Sequence, residues 1–170
     1  NLRAIMQIWY PGARGGLAVA DVLFGAVSPS GKLPVTFYKN VDNLPAFEDY
    51  NMAGRTYRYM TDEALYPFGY GLTYSSVELS DLQVKSYGDT ATVTATIQNT
   101  GNFDTDEVVQ VYVKDLESEF AVPNAQLKGF KRVYLGKGAK QTITFDLRPQ
   151  DFEVFDAQGR NFIDSDRFEI

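Results

Sequence analysis

The stretch Thr92-Val-Thr-Ala-Thr-Ile97 alternates polar and apolar residues with a period of two. That period is typical of a β-strand with one face on a core and the other in solvent. The same alternation returns in Lys140-Gln-Thr-Ile-Thr-Phe-Asp-Leu147, which places Ile143, Phe145 and Leu147 on one side. The two stretches predict inward-facing sets that cover one another, so this part of the chain is expected to be all-β.

Other short stretches in the same part also have the composition of strands. They are rich in β-branched and aromatic residues, and Asn99-Thr-Gly-Asn102 and Gly136-Lys-Gly138 provide turns between them. The candidates are Val77–Val84, Glu107–Val113, Leu127–Leu135 and Phe152–Phe155. Six or seven strands in about 95 residues predict an immunoglobulin-like sandwich. The chain has no Cys, and its single Trp lies outside this part, which favours the fibronectin type III pattern.

The N-terminal part has a different pattern. Ala4–Tyr10 is mostly apolar and predicts a strand buried on both faces, and Leu17–Phe24 predicts a helix that ends at Gly25. Leu33–Phe37 predicts a short strand or an extended segment. This strand–helix–strand order is that of a crossover in an α/β sheet. The predicted fold class is therefore mixed: a piece of an α/β sandwich followed by the all-β sandwich.

One crossover cannot cover its own sheet and helix faces, so the N-terminal part is expected to need strands from outside this sequence. Both ends of the sequence look cut. The first predicted strand has no lead-in, and Arg167–Ile170 lies within a strand-like alternation.

Charge and tyrosine content both change near residue 75. Residues 1–75 hold six basic and six acidic side chains and eight of the 11 tyrosines, so the net charge of −6 lies entirely in residues 76–170. We therefore predict two domains, 1–75 and 76–170. The negative charge argues against nucleic acid, and no apolar run reaches the ~18 residues of a membrane span. Without Cys or His, thiolate metal sites and Ser-His or Cys-His nucleophile pairs are excluded.

Three groups of residues are candidates for chemistry. Gly12, Gly15 and Gly16 precede a helix, but their spacing is not that of a phosphate loop, and a tight turn is favoured. The neighbouring acids Glu48–Asp49 and Asp62–Glu63 are expected to be solvated, because a glycosidase needs two carboxylates ~5–10 Å apart across a bond. A further acidic group, Asp104, Asp106 and Glu107, does not match a calcium loop, so no metal site is predicted.

Residues 47–74 contain eight aromatic side chains with Arg55 and Arg58 among them. Aromatic faces beside polar groups suit sugar stacking, whereas packing at a domain junction is the more general use of such side chains. Gly69 and Gly71 in the run 66–74 predict a sharply folded backbone there. We expect this run to lie between the sandwich and the α/β part.

Consecutive segments of the chain resemble glycoside hydrolase family 3. Ala4–Gly12, Gly15–Gly25 and Pro29–Phe37 resemble the end of the second domain of that family. Arg55–Tyr59 and Tyr66–Tyr74 resemble the segment that leads into its third domain.

The resemblance continues in the fibronectin type III-like domain of the same family. The similar segments there are Asn99–Gly101, Glu107–Val113 and Leu127–Val133. All segments follow one another in the family's order and extend over nearly the whole chain.

The resemblance implies a periplasmic or extracellular, retaining, exo-acting β-glycosidase for terminal β-glucosides or β-xylosides, without a cofactor. Its aspartate nucleophile and glutamate acid/base would lie upstream, in a barrel and an α/β domain, so no catalytic residue is expected here. Those domains and an oligosaccharide substrate would be the partners, and a homodimer is possible. Arg55, Tyr57 and Arg58 would be the residues near the substrate.

A second function class stays open, a stand-alone carbohydrate-binding or adhesion module without hydrolase activity. A free module is not expected to begin inside a buried strand. In the favoured interpretation the sandwich braces the catalytic domains, because its acidic surface offers no flat aromatic platform for a polysaccharide.

Overall fold

The computed structural model describes residues 2–170, in which a largely irregular N-terminal part is followed by a β-sandwich. Helix α1 spans Gly15–Leu23 and the single-turn helix α2 spans Thr56–Tyr59, and short 3-10 helices lie at Val41–Asn43 and Pro149–Asp151. The strands are β1 (Val77–Tyr87), β2 (Thr90–Asn99), β3 (Thr105–Asp115), β4 (Gln126–Leu135), β5 (Lys140–Leu147), β6 (Val154–Phe155), β7 (Asn161–Phe162) and β8 (Phe168–Glu169).

The sandwich consists of two antiparallel sheets, with strand orders β1-β2-β5 and β4-β3-β8, and a small β6-β7 ribbon. In the first sheet Val93 pairs with Phe145 and Ala95 with Ile143, so the two inward-facing sets are neighbours in one sheet. The prediction that they cover one another is wrong, because paired strands present their side chains to the same side of a sheet. Valines of β3 pack against them, and Ile97 is fully buried. The predicted all-β sandwich is confirmed, and every long strand predicted within residues 76–170 is present.

Strand β1 contains a β-bulge between Ser80 and Gln83, which changes the side of the sheet on which the following residues lie. Leu79 pairs with Ile97 and Val84 with Val93, so both lie on the side of the sheet that faces the core, although they are an odd number of positions apart. At this edge of the sheet the two side chains remain 58% and 43% exposed. A regular strand would place them on opposite faces, and the register shift between Ser80 and Gln83 restores the match. Asp81 lies within this bulge at a positive φ of 53°.

The strand predicted at residues 4–10 is wrong for this chain. Residues 2–10 are exposed, Tyr10 completely, and residues 4–9 take part in no sheet. A buried parallel strand needs a neighbour on each side to pair with its backbone, and the chain between residues 2 and 170 supplies none. The apolar side chains Ile5, Ile8 and Trp9 therefore stay exposed.

The predicted helix is confirmed, and it begins two residues earlier, at Gly15. The glycines before it form a turn in which the Gly15 N–H donates to the Gly12 carbonyl at 2.8 Å. A Cβ at Gly15 would lie 2.5 Å from the Pro11 Cβ, so the turn admits only glycine there. The glycines therefore form a tight turn, as predicted. The close contact that requires a glycine at position 15 is with Pro11 and not with a sheet. After the helix, Gly25 adopts a positive φ of 77°.

The segment after the helix is extended, as predicted, and pairs with the run 66–74. Leu33 exchanges backbone hydrogen bonds with Gly69 and Tyr70, and Phe37 forms an isolated bridge with Tyr66. Within the run the Tyr70 N–H donates to the Pro67 carbonyl at 3.1 Å and Gly69 has a φ of 81°, so the backbone turns sharply there, as predicted. Within residues 2–170 no helix is long and apolar enough to cross a membrane.

Candidate functional site

A hydroxyl cluster joins the N-terminal part to the sandwich. The Ser28 Oγ lies 2.7 Å from the Thr73 Oγ1, which lies 2.5 Å from the Thr105 Oγ1, and the Thr105 hydroxyl donates back to Ser28 at 3.0 Å. Thr105 is buried at the start of β3. Three hydroxyl groups, each able to donate and accept, satisfy one another at this partly buried place.

An ion pair also connects the two parts. We call this contact region, in which residues 28–74 meet β3 and β4, the joint. The Lys32 Nζ lies 2.7 Å from the Glu107 Oε1, and only 17% and 14% of the two side chains are exposed. The ammonium also donates to the Gly71 carbonyl at 3.1 Å. This pair is more sheltered than the other ion pairs of the described residues, so removal of one partner would leave a poorly solvated charge.

Aromatic stacking extends the joint to β3 and β4. The Tyr57 and Phe68 rings are stacked, with centroids 4.1 Å apart, and Tyr112 of β3 meets Tyr57 edge-on at 6.3 Å. The Leu127 N–H of β4 donates to the Tyr57 hydroxyl at 3.1 Å. Tyr57, predicted near the substrate, is thus also a packing residue, and the run 66–74 lies between the two parts as expected.

Asn124 holds the turn at α2 that carries Tyr57 in place. The sequence analysis did not identify Asn124 as a site residue. Its side-chain amide donates to the Tyr57 carbonyl at 2.9 Å and the Met60 carbonyl at 2.8 Å, and its backbone N–H donates to the Arg58 carbonyl at 3.1 Å. These bonds satisfy the carbonyls at the end of α2. The only signal in the sequence was an Asn after Pro123, which is also common in ordinary turns.

The two arginines predicted near the substrate have different surroundings. Arg55 is half-buried and its guanidinium donates to the carbonyls of Asp49 and Asn51, which fixes the loop before it. Arg58 is exposed, and its guanidinium carbon lies 5.9 Å from the centre of the Tyr57 ring. Of the two guanidinium groups, only that of Arg58 has no hydrogen bond within residues 2–170.

The backbone between them is strained. Thr56, the first residue of α2, has a φ of 55°. A β-branched residue rarely adopts a positive φ, and such residues cluster at functional sites, where the surrounding contacts hold them in place. Here the contacts of Arg55, Tyr57 and Asn124 do so.

Lys128 lies beside this turn, at a bulge of β4. Gly129 pairs with Val111 and Leu127 with Tyr112, so Lys128 is the extra residue of the bulge. Burial lowers the pKa of its ammonium, the nearby Arg58 charge lowers it further, and Asp151, Tyr57 and Glu153 oppose this. Sequence reasoning missed Lys128, because a bulge depends on the partner strand and leaves no mark in the local pattern.

The paired acids of the N-terminal part do not form a catalytic pair. Glu63 binds Lys39 at 2.6 Å, and this hydrogen bond and the lysine charge lower its carboxyl pKa, the opposite of what a general acid needs. Asp62 accepts from the Asn43 amide, and Asp49 accepts from Asn51. Asp62 and Glu63 thus connect their loop to residues 39–43, whereas the contact of Asp49 stays within its own turn.

The acidic group at the start of β3 also separates. Asp104 accepts from the Lys137 N–H and the Tyr134 hydroxyl, whereas Asp106 pairs with Arg132. Glu107 belongs to the ion pair of the joint. Within residues 2–170 no cluster of three or more acidic residues converges as a metal site would require.

Two family models match the chain. Residues 1–74 match the glycosyl hydrolase family 3 C-terminal domain and residues 107–170 match the fibronectin type III-like domain. A xylan 1,4-β-xylosidase of Xylanibacter ruminicola is 46% identical over 157 residues, which are 91% of this chain and 18% of the relative. A periplasmic β-glucosidase of Salmonella typhimurium is 34% identical over 98% of this chain and 24% of the relative. The chain thus spans a quarter or less of these relatives.

Solved structures agree with the sequence comparison. The β-D-glucoside glucohydrolase from Trichoderma reesei superposes with a TM-score of 0.82 over 92% of this chain and 26% of that one, at 29% identity. A family 3 β-glucosidase from Bifidobacterium adolescentis superposes with a TM-score of 0.75 over 84% of this chain and 23% of that one, at 41% identity. Both matches include the larger part of the fold described above.

Proposed function

Because the chain belongs to glycoside hydrolase family 3, as its C-terminal part, we propose that it is the non-catalytic portion of a retaining exo-β-glycosidase. The whole protein would hydrolyse terminal β-glucosides or β-xylosides, in line with the names of its relatives. The nucleophile and the acid/base would lie outside residues 1–170. Residues 1–75 and 76–170 would be its two domains here, and the sandwich would brace the catalytic domains.

The joint between the two parts carries this proposal. It combines a sheltered ion pair, a hydroxyl cluster and stacked aromatic rings, and these contacts hold residues 28–74 on β3 and β4. On the other side, the N-terminal part leaves apolar side chains uncovered, with Leu17, Leu23 and Phe24 59%, 63% and 90% exposed. An apolar face of that kind fits the missing layers of an α/β domain. The sandwich would thereby hold one edge of that domain in position.

Activity of the separate chain is the first test. We expect the purified 170-residue chain to hydrolyse neither aryl β-glucoside nor aryl β-xyloside, while the longer natural protein hydrolyses one of them. If the chain itself turns over, and substitution of Glu48, Asp49, Asp62 or Glu63 abolishes that turnover, the catalytic site lies here and the proposal fails.

Bracing needs a test in the longer protein. Glu107→Gln breaks the sheltered ion pair, and we expect it to lower the temperature at which glycosidase activity is lost, with an unchanged KM at low temperature. Glu63→Gln, which breaks an exposed ion pair, is the matched control. Micromolar binding of insoluble glucan or xylan by the chain alone would instead favour a binding module.

Location and assembly complete the proposal. A periplasmic or extracellular location rests on the name of the Salmonella relative, and fractionation of the source cells tests it. A homodimer would be detected by light scattering of the longer protein.

A further inference from the structure

An exposed apolar loop lies between the extended segment at residues 33–37 and α2. It consists of residues 41–52, and we call it the 41–52 loop. Its large apolar side chains are all exposed, and they are Val41, Leu44, Phe47, Tyr50 and Met52. The two aromatic side chains, Phe47 and Tyr50, are 90% and 86% exposed. No group within residues 2–170 covers them, so the loop offers aromatic surface that the sandwich does not use.

The rest of the structure fixes both ends of this loop. At its start, the Asn43 side-chain amide donates to an Asp62 carboxylate oxygen at 3.2 Å. At its end lies the turn at α2, which Asn124 of the sandwich binds through the Tyr57 carbonyl at 2.9 Å. The Tyr57 ring is in turn stacked on Phe68. The position of the loop therefore depends on the sandwich, through α2.

Hydrogen bonds also hold the tip of the loop in one shape. The Asp49 N–H donates to the Ala46 carbonyl at 3.0 Å and closes a turn that contains Phe47. The Arg55 guanidinium donates to the Asn51 carbonyl at 2.8 Å and also to the Asp49 carbonyl. A backbone held in this way loses little freedom when a partner covers its aromatic side chains.

The charged side chains of the loop all have one sign. It holds three acidic residues, Asp42, Glu48 and Asp49, and no basic one. Phe, Tyr and Met are enriched at the cores of protein interfaces, from which charged residues are depleted. A surface complementary to this loop would therefore be apolar at its centre and basic at its rim.

We propose that the 41–52 loop is a second contact between this chain and the catalytic portion of the longer protein, the part that precedes residue 1. The choice of this partner rests on the proposed function and on length, since more than three quarters of each matched relative lies outside the match. Phe47 and Tyr50 would be the aromatic anchors of the contact. Arg55 would be a positioning residue that holds the tip of the loop in its bound shape.

Thiol labelling of the longer protein tests the contact, because residues 1–170 contain no Cys. Phe47→Cys should react with N-ethylmaleimide about tenfold more slowly in the longer protein than in the 170-residue chain, since a covered thiol is inaccessible. Tyr87→Cys, at the exposed last position of β1, is the matched control and should react at similar rates in both. The mass of the peptide that contains each position gives the extent of labelling.

A second measurement separates contact from folding. Phe47→Ala should leave the thermal unfolding of the 170-residue chain unchanged, because the ring is exposed there. In the longer protein it should lower the temperature at which glycosidase activity is lost by about 2 °C or more. Tyr87→Ala is the control and should affect both proteins alike.

Four outcomes would overturn the proposal. Equal labelling of Phe47→Cys in both proteins would mean that the loop stays exposed, and an unchanged inactivation temperature of Phe47→Ala would mean that the ring stabilises no contact. Protection only at high protein concentration would assign the loop to a contact between copies, and protection only after addition of cellobiose or xylobiose would assign it to a saccharide. Failure of these tests leaves the proposed function standing, because hydrolysis of aryl glycosides by the longer protein is measured independently.

Discussion

The two parts of the chain hold nearly equal numbers of apolar residues, 38 in residues 1–75 and 37 in residues 76–170, but they bury them very differently. The sandwich encloses its core between two sheets, with Ile97 and Leu135 at 0% and 1% exposure. Among residues 2–75, Met60 is the only buried large apolar side chain, and it lies at the joint. A hydrophobic residue contributes to stability only when a partner covers it. The sandwich has its partners within the chain, and the N-terminal part does not.

Separate expression of the two parts gives the largest expected effect. Residues 76–170 should unfold in one cooperative thermal transition, because the inward sets of β2, β3 and β5 cover one another. Residues 1–75 should show no transition, since their apolar side chains lack cover. Circular dichroism during heating measures both. A cooperative transition in residues 1–75 alone would remove the contrast between the parts.

The same substitution in each part sharpens the comparison. Ile97→Ala should lower the free energy of unfolding of the 170-residue chain by about 3 kcal/mol, because it leaves a cavity in the core. Ile5→Ala, at a side chain 66% exposed, should change it by less than about 0.5 kcal/mol. Urea unfolding of both variants measures the difference. Equal effects would mean that residues 2–10 are packed in solution.

The next largest change in the free energy of unfolding is expected at the joint between the parts. Glu107→Gln should lower the free energy of unfolding by about 1–2 kcal/mol, because it leaves the sheltered Lys32 ammonium without its counter-charge. Glu63→Gln, whose carboxylate pairs with Lys39 in solvent, should have no measurable effect. Chemical unfolding near neutral pH compares them, and a larger effect at Glu63 would contradict the ranking of the two ion pairs.

The smallest expected effect is a pH dependence within the sandwich. Hydrogen bonds from the Lys137 N–H and the Tyr134 hydroxyl lower the pKa of Asp104. The unfolded chain therefore binds this proton at a higher pH, so the stabilisation is present above the unfolded pKa and lost as pH falls through the folded one. Asp104→Asn should flatten the acid side of the stability–pH curve. Asp89→Asn, in the β1–β2 turn, is the control, and an unchanged slope in the Asp104 variant would disprove the assignment.

The sequence predicts what depends on local pattern. The alternation in residues 92–97 and 140–147 identifies the two paired strands, and Gly25 marks the end of α1. The segment 4–10 has the composition of a strand but is not one here, because strand formation depends on distant neighbours. The family motifs identify the architecture over most of the chain.

The candidate site is harder to predict than the fold. Arg55, Tyr57 and Arg58 are recognisable in their motif, whereas nothing local distinguishes Arg55, which fixes a loop, from Arg58, which is free. Asn124 and Lys128 join them from another segment, through a turn and a bulge. Such positions follow from the register between strands, which a single sequence specifies only weakly.

The bulge of β1 has a consequence for association between molecules. β1 is an edge strand with exposed apolar side chains, a surface to which a strand of another copy could add. Asp81 and Leu82 stand opposite the single residue Ala95, and this one extra residue divides the edge into two short runs, Val77–Ser80 and Gln83–Tyr87. The hydrogen-bonding groups of the two runs do not continue one regular pattern. A regular incoming strand can match one run but not both. The irregularity that places Leu79 and Val84 on the core side thus also prevents one regular strand of another copy from pairing along the whole edge.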